Sequence, residues 1–323
     1  MPLKFRAARL LAGLAMFLSA GGALAQAFPS RPINLIVPYA PGATDREARA
    51  LAELAAKQLG QPVVVENKDG AGATIGAGFV AKAKADGHTL LYGAPAVLTI
   101  APLLGNAPYR FEDLMPVARA TTSPHVLGAR ADAPFKSAAE LIAYARANPG
   151  KVSFGSSGNG TAVHLAVEAM AEAAQVRLNH VPYRGLAPAI TAALGGHIDL
   201  VIGLPIAITP HVQAGKLAAL AQFGATRNPA LPDVTTMKEL GINLDLAVDM
   251  GLFAPAGTPA PVVARIGEAF AKAVGSEEFR AFAARAQATP AFLPADAYRR
   301  IVEGERAVYA KIVPTLKLGD KAP

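Results

Sequence analysis

Residues 32–66 read PINLIVPYAPGATDREARALAELAAKQLGQPVVVE, and three elements separate within them. Pro32 to Val37 is an apolar run of strand length. Thr44 to Leu59 is longer, and Ala48, Leu51, Ala52, Ala55 and Leu59 recur at the spacing of one helix face. Thr44 and Glu47 fit a capping box, in which each side chain satisfies a free backbone N–H. Gly60 stops the helix, and Pro62 opens a second strand, PVVVE. Strand, helix, strand is the unit from which parallel α/β sheets are built.

The alternation continues outward. A helical Gly76–Ala85 precedes strand Thr89–Gly93. Lys151–Gly155 reads as a strand and Thr161–Ala174 as a helix with Val163, Ala166, Val167 and Met170 inward. Strand Leu178–Pro182, helix Ala187–Leu194 and strand His197–Ile202 follow. Thr258-Pro259 reads as an N-cap and first turn for a helix with Val262, Val263, Ile266, Phe270 and Val274 on one face. A last long helix spans about Ala295–Val313. This predicts an α/β protein of doubly wound parallel sheets. With 323 residues, about two domains are expected. No repeat and no low-complexity linker separates them.

Composition removes several classes. Apolar residues are 52% and charged residues 17%, which excludes a mainly disordered chain. There is no cysteine, so disulfides, thiolate metal sites and a cysteine nucleophile are excluded. There is no Trp, and no long basic run, so a nucleic-acid partner is not expected. At the start, Lys4, Arg6 and Arg9 precede the apolar Leu10–Leu18, and Ala23-Leu24-Ala25 offers small residues for a signal peptidase. Residues 1–25 are therefore expected to be a signal peptide, with cleavage after Ala27 or an uncleaved anchor as alternatives. Removing those three cations takes the net charge from +7 to +4.

In open parallel sheets, ligands bind where strand ends meet helix starts. Three segments fit: Pro38 to Asp45, Gly155 to Thr161, and Val181 to Pro188. Glycines admit a ligand close to the backbone, helix-start N–H groups favour an anion, and Ser and Thr hydroxyls add donors. The chemistry suggested is carboxylate recognition, although such residues also fill ordinary turns. Nucleotide and esterase motifs fail here. Thr161 stands where a P-loop needs Lys, and Asn159 where a nucleophile elbow needs Gly. His164 and Glu168 lack a third metal ligand, so no metal or other cofactor is expected. Asp45 reads first as a charge favouring the helix dipole, or else as a contact for a ligand amine. His125, His180, His197 and His211 read as structural residues at element ends.

Taken in order, these landmarks resemble one family. They are Arg31 to Gly42, Gly60 to Asn67, Gly70-Ala-Gly72, Ala85 to Leu91, Ser156 to Thr161 with His164-Leu165, and Val181 to Gly185. Leu194 to Leu200, Pro210-His211, Ala214 to Leu217, Pro229 to Val234 and Phe253 to Pro259 continue them. The chain resembles the substrate-binding proteins of tripartite tricarboxylate transporters, the TctC or Bug family, over essentially all of its mature length. The resemblance implies a periplasmic, non-enzymatic and monomeric receptor with two α/β lobes in a Venus-flytrap arrangement. Residues 28–122 with 248–323 would form one lobe and 123–247 the other. A small carboxylate would lie between them and pass to membrane permease subunits, or be reported to a sensor kinase. By the same resemblance, the ligand would meet Tyr39, Ala40, Gly42, Ala43, Thr44 and Asp45. It would also meet Ser156, Ser157, Gly158, Asn159, Gly160 and Thr161. His164, Tyr183, Gly185 and Ala187 would line the opposing wall, and Gly203 would border it.

The chain departs from that family in two places. The first loop is one residue shorter, Ala43 replaces a glycine, and the next residues, Arg46 and Glu47, are charged. A strained backbone at Ala43 would reshape this loop. Gly203 stands where many members carry Asp, which predicts a wider, less acidic cleft and disfavours an amino-acid ligand. A hydrolase using Ser156 or Ser157 is the remaining alternative, with no His–acid pair assignable to either serine.

Overall fold

The computed structural model describes residues 28–316 except 287. The expected signal peptide, residues 1–25, lies outside the described residues. In chain order the elements are β1 (Ile33–Val37), α1 (Ala43–Leu59), β2 (Val63–Asn67), α2 (Thr74–Ala81), β3 (Thr89–Gly93), α3 (Ala96–Thr99), β4 (Leu114–Ser123) and β5 (Val126–Arg130). Then come α4 (Ala138–Ala147), β6 (Ser153–Ser156), α5 (Ala162–Ala173), β7 (Asn179–Pro182), α6 (Leu186–Leu194), β8 (Leu200–Gly203), α7 (Pro205–Gln213) and β9 (Leu217–Gln222). The chain returns through β10 (Val248–Pro255), α8 (Ala260–Gly275), α9 (Glu277–Ala286), β11 (Thr289–Pro294) and α10 (Ala295–Ile312).

Two sheets result, in the orders β11-β4-β10-β3-β1-β2 and β7-β6-β8-β5-β9. They are mixed, not wholly parallel as expected. β1 runs parallel to β2 and β3, and β6 parallel to β7 and β8. These are the strands that helices separate in sequence. β10 is antiparallel to β3 and β4, β11 to β4, and β5 to β8 and β9. β4 and β5 lie in different sheets and are joined by Pro124-His125 with no helix between them, so the chain passes directly from one sheet to the other.

Apolar faces close two main cores. α1 and α8 lay Leu51, Ala55, Ile266 and Phe270 on the first sheet, against Leu35, Tyr92 and Val117. Around the second sheet, Phe135, Phe154, Leu165 and Met170 pack with Leu200 and Phe223. α10 serves both: Tyr298 and Val302 pack with Ile36 and Phe253 of the first sheet, while Tyr309 and Ile312 join the core of the second.

The chain also crosses between the sheets at β4–β5 and β9–β10, and the crossings are tied side by side. The Phe223 N–H donates to the His125 carbonyl at 2.9 Å, and the buried His125 ring meets the Leu246 carbonyl through Nδ1 at 3.1 Å. Burial holds that imidazole down at about 4.

Two expected caps are not formed. Gly42 is the N-cap of α1, with no side-chain bond. Glu47 instead turns inward and accepts from Tyr92 Oη and Thr121 Oγ1, both at 2.6 Å. Burial of its carboxylate, rather than a helix-start position, decides its partners. At α8 the N-cap is Pro259, and the Thr258 hydroxyl donates back to the Pro255 carbonyl at 2.8 Å.

Candidate anion-binding loops

The clearest site element is the loop from β6 into α5. Gly158 (φ 137°) and Gly160 (φ 70°) take backbone conformations that side chains disfavour. This lets six residues fold tightly over the helix start. Thr161 is the N-cap: its hydroxyl accepts from the His164 N–H at 3.4 Å and donates to the Gly158 carbonyl at 2.8 Å. Gly160 N–H donates to His164 Nδ1 at 3.0 Å, so the proton of a neutral ring is on Nε2, 3.6 Å from Glu168. Below the loop, His164 stacks on His180 at 3.7 Å, and His180 on Phe154 at 4.8 Å. Burial, together with the neighbouring His164, holds His180 down at about 4. Ser156, fully buried, meets His180 Nε2 at 2.7 Å and accepts from the Gly158 N–H at 3.1 Å.

After these ties, the free groups define what the loop offers. Among the described residues, the N–H groups of Ser157, Asn159, Ala162 and Val163 have no partner, and neither does the half-buried Ser157 hydroxyl. Unpaired donors at the start of a 12-residue helix form an anion cradle. The Ser156–His180 pair ties β6 to β7.

The 183–187 segment meets this loop. Tyr183 N–H donates to the Ser156 carbonyl at 3.1 Å, and the Tyr183 carbonyl lies 3.7 Å from where a Cβ on Gly158 would stand. Gly185 (φ 111°) is the N-cap of α6, with Ala187 exposed in its first turn. A Cβ on Gly203 would sit 2.6 Å from Leu186 Cδ2. The expected widening at Gly203 is therefore absent, because Leu186 fills the space an acidic side chain would take.

The first loop is built separately. Tyr39 is half-buried, and its hydroxyl accepts from the Ala94 N–H at 3.4 Å. Asn67 Nδ2 donates to the Tyr39 carbonyl at 3.0 Å. Asp45, 7% exposed, is gripped by Arg49 one turn on, at 2.9 Å. That hydrogen-bonded guanidinium holds its carboxyl below the usual range. Ala40 and Ala43 are exposed, and Gly42 and Thr44 half-exposed. Ala43 starts the helix with no positive φ, so the strain expected there is absent. No hydrogen bond among the described residues joins this loop to 156–161 or 183–187. The partners Asn67, Arg49, His180 and Leu186 were not read from sequence. Only the i, i+4 spacing of Asp45 and Arg49 carried a signal.

Residues 47–318 match the model of the tripartite tricarboxylate transporter family receptor. The "UPF0065 protein in tcbD-tcbE intergenic region" of Pseudomonas sp. (strain P51) is 39% identical over 84% of this chain and 82% of its own. Protein BugT of Bordetella pertussis is 36% identical over 94% of this chain and 96% of its own. A TctC solute-binding protein from Polaromonas, solved with no ligand, is 33% identical over 90% of this chain and all of its own, with a TM-score of 0.83. An R. palustris protein with adipate is 31% identical over 89% of this chain and 98% of its own, with a TM-score of 0.68. MatC from Rhodopseudomonas palustris, with bound malate, is 31% identical over 88% of this chain and all of its own, with a TM-score of 0.65. With this fold and these relatives across nearly its whole length, the chain belongs to the TctC/Bug family of solute-binding receptors.

Proposed function

We propose that the protein closes two lobes on a small di- or tricarboxylate and delivers it to the membrane subunits of a tripartite transporter. The single observation carrying this reading is the set of unpaired N–H groups at 157–163 beside the free Ser157 hydroxyl. They suit a carboxylate end, and they need a water-poor cleft to be worth much. Residues 28–122 with 248–316 form the first lobe and 123–247 the second, with α10 reaching from one to the other. The first loop, Tyr39 to Asp45, closes over the ligand from the opposite side. Asp45 is already neutralised by Arg49, so it presents little charge to a second anion. Malate and adipate in two relatives support a ligand of this class. A signal peptide at 1–25 and a periplasmic location belong to the same reading.

The test is isothermal titration of the protein with malate, adipate, citrate, glutamate and glucose. One or more of the non-amino carboxylates binds, and Ser157→Ala weakens that binding about tenfold or more, the worth of one hydrogen bond to a charged group. Binding of glucose alone, or unchanged carboxylate affinity in Ser157→Ala, overturns the assignment.

A further inference from the structure

A cavity of about 640 Å³ opens between the helices of the two sheets. α7 and the segment after β9 wall it on one side, and α9 with the lead into β11 on the other. None of the loop residues assigned above lines it. Its volume is in the range of small-molecule sites.

The walls specify a chemistry. Pro205, Pro210, Pro229 and Pro290 give rigid apolar surface. Arg280 is the only charged lining residue, and among the described residues it makes no ion pair. Thr209 lines the cavity, is 8% exposed, and its hydroxyl has no hydrogen-bond partner. Asn228, 6% exposed, accepts from the Ala230 N–H through Oδ1 at 2.8 Å, which leaves its Nδ2 to donate. A guanidinium and an amide stand over apolar walls with no carboxylate among them.

We infer that this cavity is a second binding site, for a small organic anion with a flat apolar body, such as an aryl carboxylate. The prolines and alanines take the ring, Arg280 takes the charge, and Asn228 Nδ2 donates to a carboxylate oxygen. Because both sheets' elements form the walls, an occupant bridges the two halves.

The probe is 2-naphthoate, titrated by its own fluorescence into the full protein, which has no Trp to interfere. Saturable binding is expected in the wild type. Arg280→Gln and Ala284→Phe each weaken it tenfold or more, the second by filling the cavity. Both positions are exposed on α9, so neither change touches a core. Ser157→Ala leaves naphthoate binding unchanged, and Arg280→Gln leaves the affinity for the cleft carboxylate within twofold. No saturable binding, wild-type affinity in both α9 variants, or loss in Ser157→Ala overturns the inference. The last result places naphthoate in the loops and leaves the carboxylate reading standing.

Discussion

Ser157 and Thr161 look alike in sequence, yet the structure gives them opposite duties. Thr161 spends its hydroxyl on the helix cap and the Gly158 carbonyl. Ser157 spends nothing. Thr161→Ala therefore costs about 1 kcal/mol of stability, the usual worth of an N-cap, and lowers the urea midpoint. Ser157→Ala leaves that midpoint within error and acts on affinity alone. Equal midpoint shifts in both would mean the loop is not held as described. The loop was legible because glycines and hydroxyls cluster just before an apolar helix pattern. Its scaffold was not, because His180 stands 24 residues from Ser156, and only the parallel pairing of β6 and β7 brings them together. Glu47 was misread for a related reason. A local capping box and a buried tertiary bond use the same residue, and the sheet decided between them.

At the scale of elements, α10 carries a conflict of its own. Glu305 is buried within it, and its carboxylate accepts from Thr99 Oγ1 of α3 at 2.7 Å. Burial pushes this carboxyl up to about 8, and the charges of Asp249 and Asp245 add to the rise. The folded protein thus keeps a proton that the unfolded chain gives up above about 4.3. The contribution is full below that value and is lost as pH rises to about 8. Between about 6.5 and 8, above the range in which imidazoles titrate, wild-type stability falls, by urea unfolding, and Glu305→Gln flattens the fall. Unchanged slopes in the variant would assign the titration elsewhere. Further along the helix, Tyr309→Ala opens the second core and costs about 3–5 kcal/mol. Helix-separated strands such as β1 and β2 declared themselves in sequence. β4 carries Pro116 and four polar residues, β9 reads LAALAQ, and α7 holds an internal Pro210. Those patterns suit neither period, so tertiary pairing had to place them.

For the whole molecule, three connections join the two halves. Two are the crossings tied through His125, and the third is α10. Identities of 31–33% accompany a TM-score of 0.83 with the ligand-free relative but 0.65–0.68 with the malate and adipate complexes. Closure of the two lobes on a ligand, as proposed above, would change the angle between them. Small-angle scattering should therefore show the radius of gyration shrinking when the cleft carboxylate is added. No change at saturation would exclude closure. Acid opposes the hinge and the loop together. His125 and His180 are held neutral, down at about 4, while unfolded imidazoles take protons below about 6.5. Their contribution is full above 6.5 and is lost as pH falls toward 4, so His125→Gln and His180→Gln each reduce the acid-side slope of stability.

The reach of α10 also governs the order in which the protein is finished. Thr99 waits for Glu305, 206 residues later, and the core around Phe154 waits for Tyr309 and Ile312. Contacts of such long range make folding slow, because loop closure must be met before packing rewards it. During vectorial synthesis neither the second core nor the cluster around Ile36 and Phe253 can be completed until the last helix exists. A chain that stays unfinished for so long remains threadable, which would suit the periplasmic location proposed above.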